Sequence, residues 1–263
     1  MPENNRGPLP TVCIVGYQGK MAQFFSKTLQ EAGYAVCGVG PELDAICVEK
    51  LVASRIILLC VPVAALERAL ESICPYLSPE QLLMDITSVK TKPMQWMEHF
   101  FHGPVIGTHP LFGPTPLSQD MKVALVRGRN ATDFDCEESE NLFRHCNCRP
   151  FWTSMLEHDR GVAFAQSLNF SVSAAFFSAL YRCPGVEPFL TPSFRRHLEA
   201  ARKHLTVDKE MFCEFTSMNP EFVGALGIYR NILDEISGGA LRHISDQAAS
   251  WYECGPGPDS NAQ

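Results

Sequence analysis

Thr11–Ala22, "TVCIVGYQGKMA", decides how the rest of the chain is read. A β-branched run over 11–16 ends in glycine, and Gly16 and Gly19 frame a turn. Residues 20–33, "KMAQFFSKTLQEAG", then carry helical periodicity as far as Gly33. Glycine at a strand-to-helix turn lets the backbone fold tightly and approach a pyrophosphate, while the helix start offers N–H groups that lack intrahelical partners. The spacing departs from G-x-G-x-x-G: read from Tyr17, the three glycine places hold Tyr17, Gly19 and Ala22, with Gly16 one residue early. Two glycines between a strand and a helix also make an ordinary turn, so the surroundings must decide.

The residues downstream supply those surroundings. "YAVCGVG" (34–40), "QLLMDI" (81–86), "GPVIG" (103–107) and "KVALVRG" (122–128) read as strands, with "CRPFWT" (148–153) as an edge strand. "RIILLCVPV" (55–63) is a continuous apolar run, the pattern of a strand buried on both faces of a parallel sheet. Helical patterns fall between them at 65–77, 92–101 and 137–146. The alternation predicts right-handed βαβ units and a doubly wound α/β sheet of Rossmann type. Beyond about residue 155 the texture is helical throughout: one long pattern over 155–182, then segments near 191–205, 208–217, 219–236 and 240–252. The expected organisation is a dinucleotide-binding domain over 1–154, an all-helical substrate and dimerisation domain over 155–253, and a disordered tail over 254–263.

Bulk properties narrow the function. A chain of 263 residues, 46% hydrophobic and 19% charged, has the composition of a globular protein with ample core. A net charge of −7 argues against nucleic-acid and anionic-membrane partners. No apolar run approaches the length of a transmembrane helix, and "MPENNRGPLP" lacks a signal-peptide core. The eleven cysteines lie mostly in apolar stretches and are read as reduced thiols of a cytoplasmic protein. No metal is expected, because "RHCNCRP" (144–150) has no second ligand pair at suitable spacing.

Two local features bear on chemistry. The acidic residue expected on the cofactor ribose is missing from the end of the second strand, Val39-Gly40-Pro41; Glu42 and Asp44 are close but displaced, and no Arg stands there for a 2′-phosphate. NAD is therefore preferred, with NADP left open. In "VIGTHPLFGP" (105–114) an ionisable imidazole, His109, stands at the mouth of a strand with the chain stiffened around it by proline. Such a group is either a surface residue or one held in place to do chemistry.

"IVGYQGKMA", "LLCVPV", "DITSVK", "IGTHPLFGP" and "EHDRGVAFAQSL" occur in that order. Together they resemble the prephenate dehydrogenase family, which includes arogenate and cyclohexadienyl dehydrogenases, and the likeness runs over about 11–252. The resemblance implies a dinucleotide-binding domain followed by a helical domain that forms a homodimer. It also implies NAD(P)-dependent oxidative decarboxylation of prephenate, arogenate or an amino-substituted prephenate, in the making of tyrosine or aromatic secondary metabolites. His109 corresponds to the base that takes the proton of the ring hydroxyl, and Ser88 to a serine between nicotinamide and substrate. Ser88 also stands where it would cap a following helix. Lys90 reads either as a contact for anionic groups or as a solvated lysine. The residues expected at the dinucleotide are Gly16, Gln18, Gly19, Lys20, Met21, Val61 and Pro62.

On the substrate side, a dicarboxylate needs local positive charge in an acidic protein. "SFRRHLEAARKH" (193–204) supplies it, and the family's arginine position falls on Lys203, with Arg202 adjacent. A solvated basic helix face is the competing reading. His158 and Asp159 open the long helix, where capping and interdomain hydrogen bonding are favoured over direct chemistry; Gln166, a heptad beyond Asp159, is placed on the same cleft. Phe170 stands where many family members carry histidine, and an apolar ring cannot replace its hydrogen bond. A catalytically silent dinucleotide-binding regulator of the same family is the second reading, and another two-domain Rossmann reductase, which leaves "GTHPLFGP" unexplained, is the third.

Overall fold

The structure is a computed structural model that describes residues 9–116 and 121–254. Both ends of the chain beyond those limits, including most of the expected disordered tail, lie outside the described residues. Among the described residues seven strands form one sheet: β1 (Val12–Val15), β2 (Val36–Val39), β3 (Ile56–Leu59), β4 (Leu82–Asp85), β5 (Val105–Pro110), β6 (Lys122–Arg127) and β7 (Arg149–Trp152). Their order is β2-β1-β3-β4-β5-β6-β7. The first five are parallel, β6 runs antiparallel to β5, and β7 parallel to β6. The antiparallel step departs from the uniform βαβ expectation. The segment between Pro110 and Lys122 holds no helix among its described residues, and a parallel return needs a crossover of a dozen residues or more, usually helical.

Helices α1 (Lys20–Glu31), α2 (Ala45–Ala53), α3 (Val63–Ile73), α4 (Thr91–Phe100) and α5 (Asp133–His145) flank the sheet. Strand residues alternate between two cores. Val12, Ile14, Ile56 and Leu58 pack with Phe25, Leu29, Leu142 and Phe143 of α1 and α5. Cys13, Val15, Ile57 and Leu59 pack with Leu66, Leu70, Met94 and Met97 of α3 and α4. Both faces are covered, which is why "IILL" shows no polar alternation. The chain leaves β1 for β2 on one side and returns to β3 on the other, so the order reverses between the carboxyl ends of β1 and β3. Doubly wound sheets bind ligands at such a switch point.

From Met155 to Tyr181 a single helix runs as α6 (Met155–Val162), a π-helical stretch (Ala163–Leu168) and α7 (Asn169–Tyr181). It starts in a capping box, in which Ser154 accepts from the Glu157 N–H and Glu157 reaches back to the Ser154 N–H. α8 (Pro192–Thr206), α9 (Lys209–Met218), α10 (Phe222–Glu235) and α11 (Leu241–Cys254) follow. Contrary to the expectation that no apolar run approaches the length of a membrane span, the 27-residue helix Met155–Tyr181 contains an 18-residue window with a mean hydropathy of 1.2, long and apolar enough by length and composition. The count of apolar residues hides what its start does: buried His158 and Asp159 there bind the sheet part of the molecule.

Candidate active site

The site begins at the carboxyl end of β4. Asp85 is fully buried, and its carboxylate accepts from the Thr87 N–H at 2.9 Å and from Lys90 Nζ at 2.5 Å. Lys90 Nζ also donates to the Thr108 carbonyl at 2.6 Å, and the Thr108 N–H donates to the other Asp85 oxygen at 3.2 Å. The "DITSVK" loop is thereby fastened to β5 at the residue preceding His109. Neither expectation for Lys90 holds: its side chain is fully buried and ion-paired, neither solvated nor free for a ligand. Burial pulls its pKa down, and Asp85 opposes the shift.

His109 is buried, and its Nδ1 lies 3.0 Å from His158 Nε2. His158 Nδ1 lies 2.8 Å from Asp159 Oδ1. The two Asp159 oxygens accept from the Lys90 and Thr91 N–H groups at 2.7 and 2.8 Å. Burial pushes the Asp159 carboxyl up, but hydrogen bonds from His158 and Thr91 outweigh it and hold the pKa below the ordinary range. An ionised carboxylate only accepts, so His158 Nδ1 carries a proton and donates. In neutral His158, Nε2 is then an acceptor, and His109 must donate to it through Nδ1–H. The lone pair of His109 is left on Nε2. Burial above all, with the Lys90 charge adding to it, depresses the His109 pKa well below its ordinary value, so the imidazole is neutral at pH 7.

Asp159 thus caps a helix, as expected, but not its own: it caps α4 across the junction, while Ser154 caps α6. The Asn219 side chain donates to the Asp159 carbonyl at 2.8 Å and fixes its position. The capping role expected for Ser88 is not observed, since α4 starts at Thr91 and takes its acceptors from Asp159. Ser88 is half-buried, and its hydroxyl has no hydrogen-bond partner among the described residues.

The glycine turn lies at the switch point. Gly16 adopts φ +81°, and a Cβ there would stand 2.7 Å from the Cys60 carbonyl and 2.8 Å from Val61 Cγ1. Gly19 caps α1 with no side-chain hydrogen bond. The other four helices of the sheet part are supplied with acceptors: Asp44 at α2, Glu214 at α3 through the Ala64 N–H, Asp159 at α4, and Thr132 at α5. Two of those acceptors come from the helical part. The amino end of α1, with no acidic residue in its first turn, is left open to an anion. Gln18 and Lys20 are exposed beside it; Met21 is half-buried against the core, and Pro62 opens α3.

The substrate-side expectations divide. Lys203 Nζ lies 3.4 Å from Asp208 Oδ2 and 3.7 Å from where a Cβ on Gly113 would stand, so it does reach the loop after His109. Arg202 is exposed, 3.7 Å from Glu199, and lines a surface groove with Phe177, Leu198 and Leu205. Gln166 lies in the π-helical stretch, and the extra residue per turn breaks the heptad register expected to align it with Asp159. Phe170 is buried and stacks on Phe212 with ring centroids 5.1 Å apart.

A doubly wound sheet with an open glycine turn at its switch point, joined to a helical part through the buried Asp159 carboxylate and through Glu214, is a nucleotide-binding α/β protein with a helical C-terminal extension. The family model described as "Prephenate dehydrogenase, nucleotide-binding domain" matches residues 25–142, beginning just after the glycine turn. The T-protein of Haemophilus influenzae is 24% identical over 228 residues, covering 85% of this chain and 60% of that protein. The T-protein of Enterobacter agglomerans is 31% identical over 182 residues, covering 66% and 48%. The chain thus spans about half to three fifths of these curated relatives. Prephenate dehydrogenase from Aquifex aeolicus, in complex with hydroxyphenyl propionate and NAD+, shares the fold with a TM-score of 0.71 at 18% identity, over 92% of this chain and 94% of that one. Residues 25–142 are thus a nucleotide-binding domain of the prephenate dehydrogenase family, and the likeness to the T-proteins extends beyond it.

Proposed function

We propose that the protein is an NAD-dependent dehydrogenase that oxidises and decarboxylates prephenate, arogenate or an amino-substituted relative. The hydrogen-bonded order Asp159–His158–His109 carries this reading, because it leaves a neutral imidazole with its lone pair on Nε2, at the carboxyl edge of the sheet. His109 takes the proton of the ring hydroxyl as the hydride leaves the same carbon and CO2 leaves the opposite ring carbon, giving an aromatic product. The charge that arrives on His109 is balanced through His158 by the Asp159 carboxylate. A positioned base of this kind contributes roughly 10²–10⁴-fold. Ser88, with its hydroxyl unengaged, is free to hydrogen-bond the substrate.

When bound, the nicotinamide nucleotide supplies the two-electron acceptor. Gly16, Gly19 and the open amino end of α1 fit its pyrophosphate, with Val61 and Pro62 forming the opposite wall. Asp44 is engaged in capping α2 and offers no clear partner for the ribose, but no arginine stands at the end of β2 for a 2′-phosphate, and that favours NAD over NADP. Gly16→Ala forces a Cβ into the Cys60 carbonyl at an unfavourable φ, and is expected to weaken NAD binding at least tenfold by calorimetry.

The protein is also proposed to be a homodimer. α11 has no buried residue, and Leu241, Trp251 and Tyr252 are exposed on it, as are Val223, Ile228 and Leu233 on α10. Eleven free thiols support a reducing, cytoplasmic setting.

The test is absorbance at 340 nm with purified protein, NAD or NADP, and prephenate or arogenate. A rise with one pair establishes the reaction and its substrate. No rise with any pair, while NAD still binds, sinks it in favour of a silent, dinucleotide-binding regulator.

A further inference from the structure

Four buried side-chain polar atoms lack a hydrogen-bond partner among the described residues, and three of them belong to the helical part: Ser167 Oγ, His204 Nε2 and Thr216 Oγ1. The fourth, Glu138 Oε2, is accounted for by its ion pair with Arg55 at 2.9 Å. Leaving a buried donor or acceptor unmade costs about 1–3 kcal/mol each, so native folds hold few of them.

The three are not scattered. Val162 packs with Phe215, and Phe170 stacks on Phe212, so the long helix and α9 lie face to face and antiparallel. That arrangement brings Ser167 into the span of Phe212–Thr216. The His204 ring enters from α8, 6.2 Å from the Phe170 ring and 5.7 Å from that of Phe212. The same apolar cluster contains Val89, the residue after Ser88, and Lys203, the neighbour of His204, reaches the loop after His109. An aromatic cluster carrying an imidazole nitrogen without a hydrogen-bond partner therefore backs onto the reacting edge of the sheet. Flat rings suit an unsaturated six-membered ring, and the imidazole suits an oxygen attached to it.

We propose that His204 is a substrate-recognition residue, its Nε2–H donating to a carboxylate or carbonyl oxygen of the cyclohexadienol whose ring lies against Phe170 and Phe212. The assignment rests on the function proposed above. It also answers the absence of an imidazole at position 170: the ring is offered from α8 instead.

The experiment compares wild type, His204→Phe, His204→Gln and the exchange Phe170→His/His204→Phe, each first checked for folding by circular dichroism. Affinity for hydroxyphenyl propionate is measured by calorimetry with NAD present, and KM and kcat are measured on the productive cyclohexadienol. His204→Phe is expected to weaken binding and raise KM about tenfold or more, as for a hydrogen bond to a charged oxygen, with kcat near wild type. His204→Gln, which keeps a donor, loses less, and the exchange variant recovers most of the affinity. Wild-type affinity in His204→Phe, or a loss that neither His204→Gln nor the exchange relieves, overturns the assignment. A wild type that binds the propionate but oxidises neither prephenate nor arogenate sinks the dehydrogenase reading and leaves His204 standing. One that binds no such ligand overturns both.

Discussion

His109→Asn lowers kcat by about 10²–10⁴-fold while the affinity for NAD stays at the wild-type value. Asparagine keeps a donor for His158 Nε2 but has no lone pair that takes a proton near neutral pH. The contact made by His109 Nδ1 at 3.0 Å survives and the base is lost. Single-turnover absorbance at 340 nm and NAD calorimetry on the same preparation decide the matter; turnover at the wild-type rate removes His109 from the mechanism. The same imidazoles set an acid limit on stability. Burial lowers the pKa of both His109 and His158 in the folded protein, whereas the unfolded chain protonates them near the ordinary value of about 6.5. The unfolded state therefore binds more protons below that value, and native stability falls as pH drops through it and is level above it. Replacing His109 removes one of these groups, so the variant's midpoint in urea should fall less between pH 7 and pH 5 than that of wild type.

The dinucleotide half was legible because its physics is local. "IILL" is apolar at every position since both sheet faces are buried, and the glycine turn announces itself in φ. Helix α2 escaped because "AICVEKLVA" is rich in β-branched residues and buries Leu51 alone. The reversal at β6 escaped because apolar patterns mark strands and not their direction. His109 was legible from its place at a strand mouth. Its partner was not, since that contact joins residues 49 apart in sequence. The true cap of α6 stood in plain view as Ser154 and Glu157, and recognising it would have freed Asp159 for the role it plays across the junction. Lys90 misled for a statistical reason, as lysines are almost never buried unless paired. Its pairing also depends on a neighbour that no sequence pattern marks: a Cβ on Gly107 would meet Lys90 Cδ at 3.1 Å and Met94 Sδ at 2.5 Å, so the glycine makes the passage through which the lysine reaches Asp85.

That dependence yields the largest expected change in stability. Lys90→Met leaves the Asp85 carboxylate fully buried without its counter-charge, and the Thr108 carbonyl without the amine that donates to it. Removing one partner of a buried ion pair costs roughly 3–5 kcal/mol. In a chain of this size that corresponds to a fall in Tm on the order of 10 °C. Asp85→Asn/Lys90→Met removes both charges and keeps an oxygen for the Thr87 N–H, although the amide nitrogen then faces the Thr108 N–H, so it should recover part of the loss. Lys90→Arg should not, because the bulkier guanidinium must share the space beside Gly107 and Met94. Calorimetric unfolding of the four proteins without NAD separates these cases. A single variant as stable as wild type would mean that the amine is neutral or unpaired in the folded protein. The same variants test whether this network positions the base. Thr108 is fixed by Asp85 and Lys90 one residue before His109, so the double variant, though it regains part of the stability, should still show a lowered kcat with little change in KM.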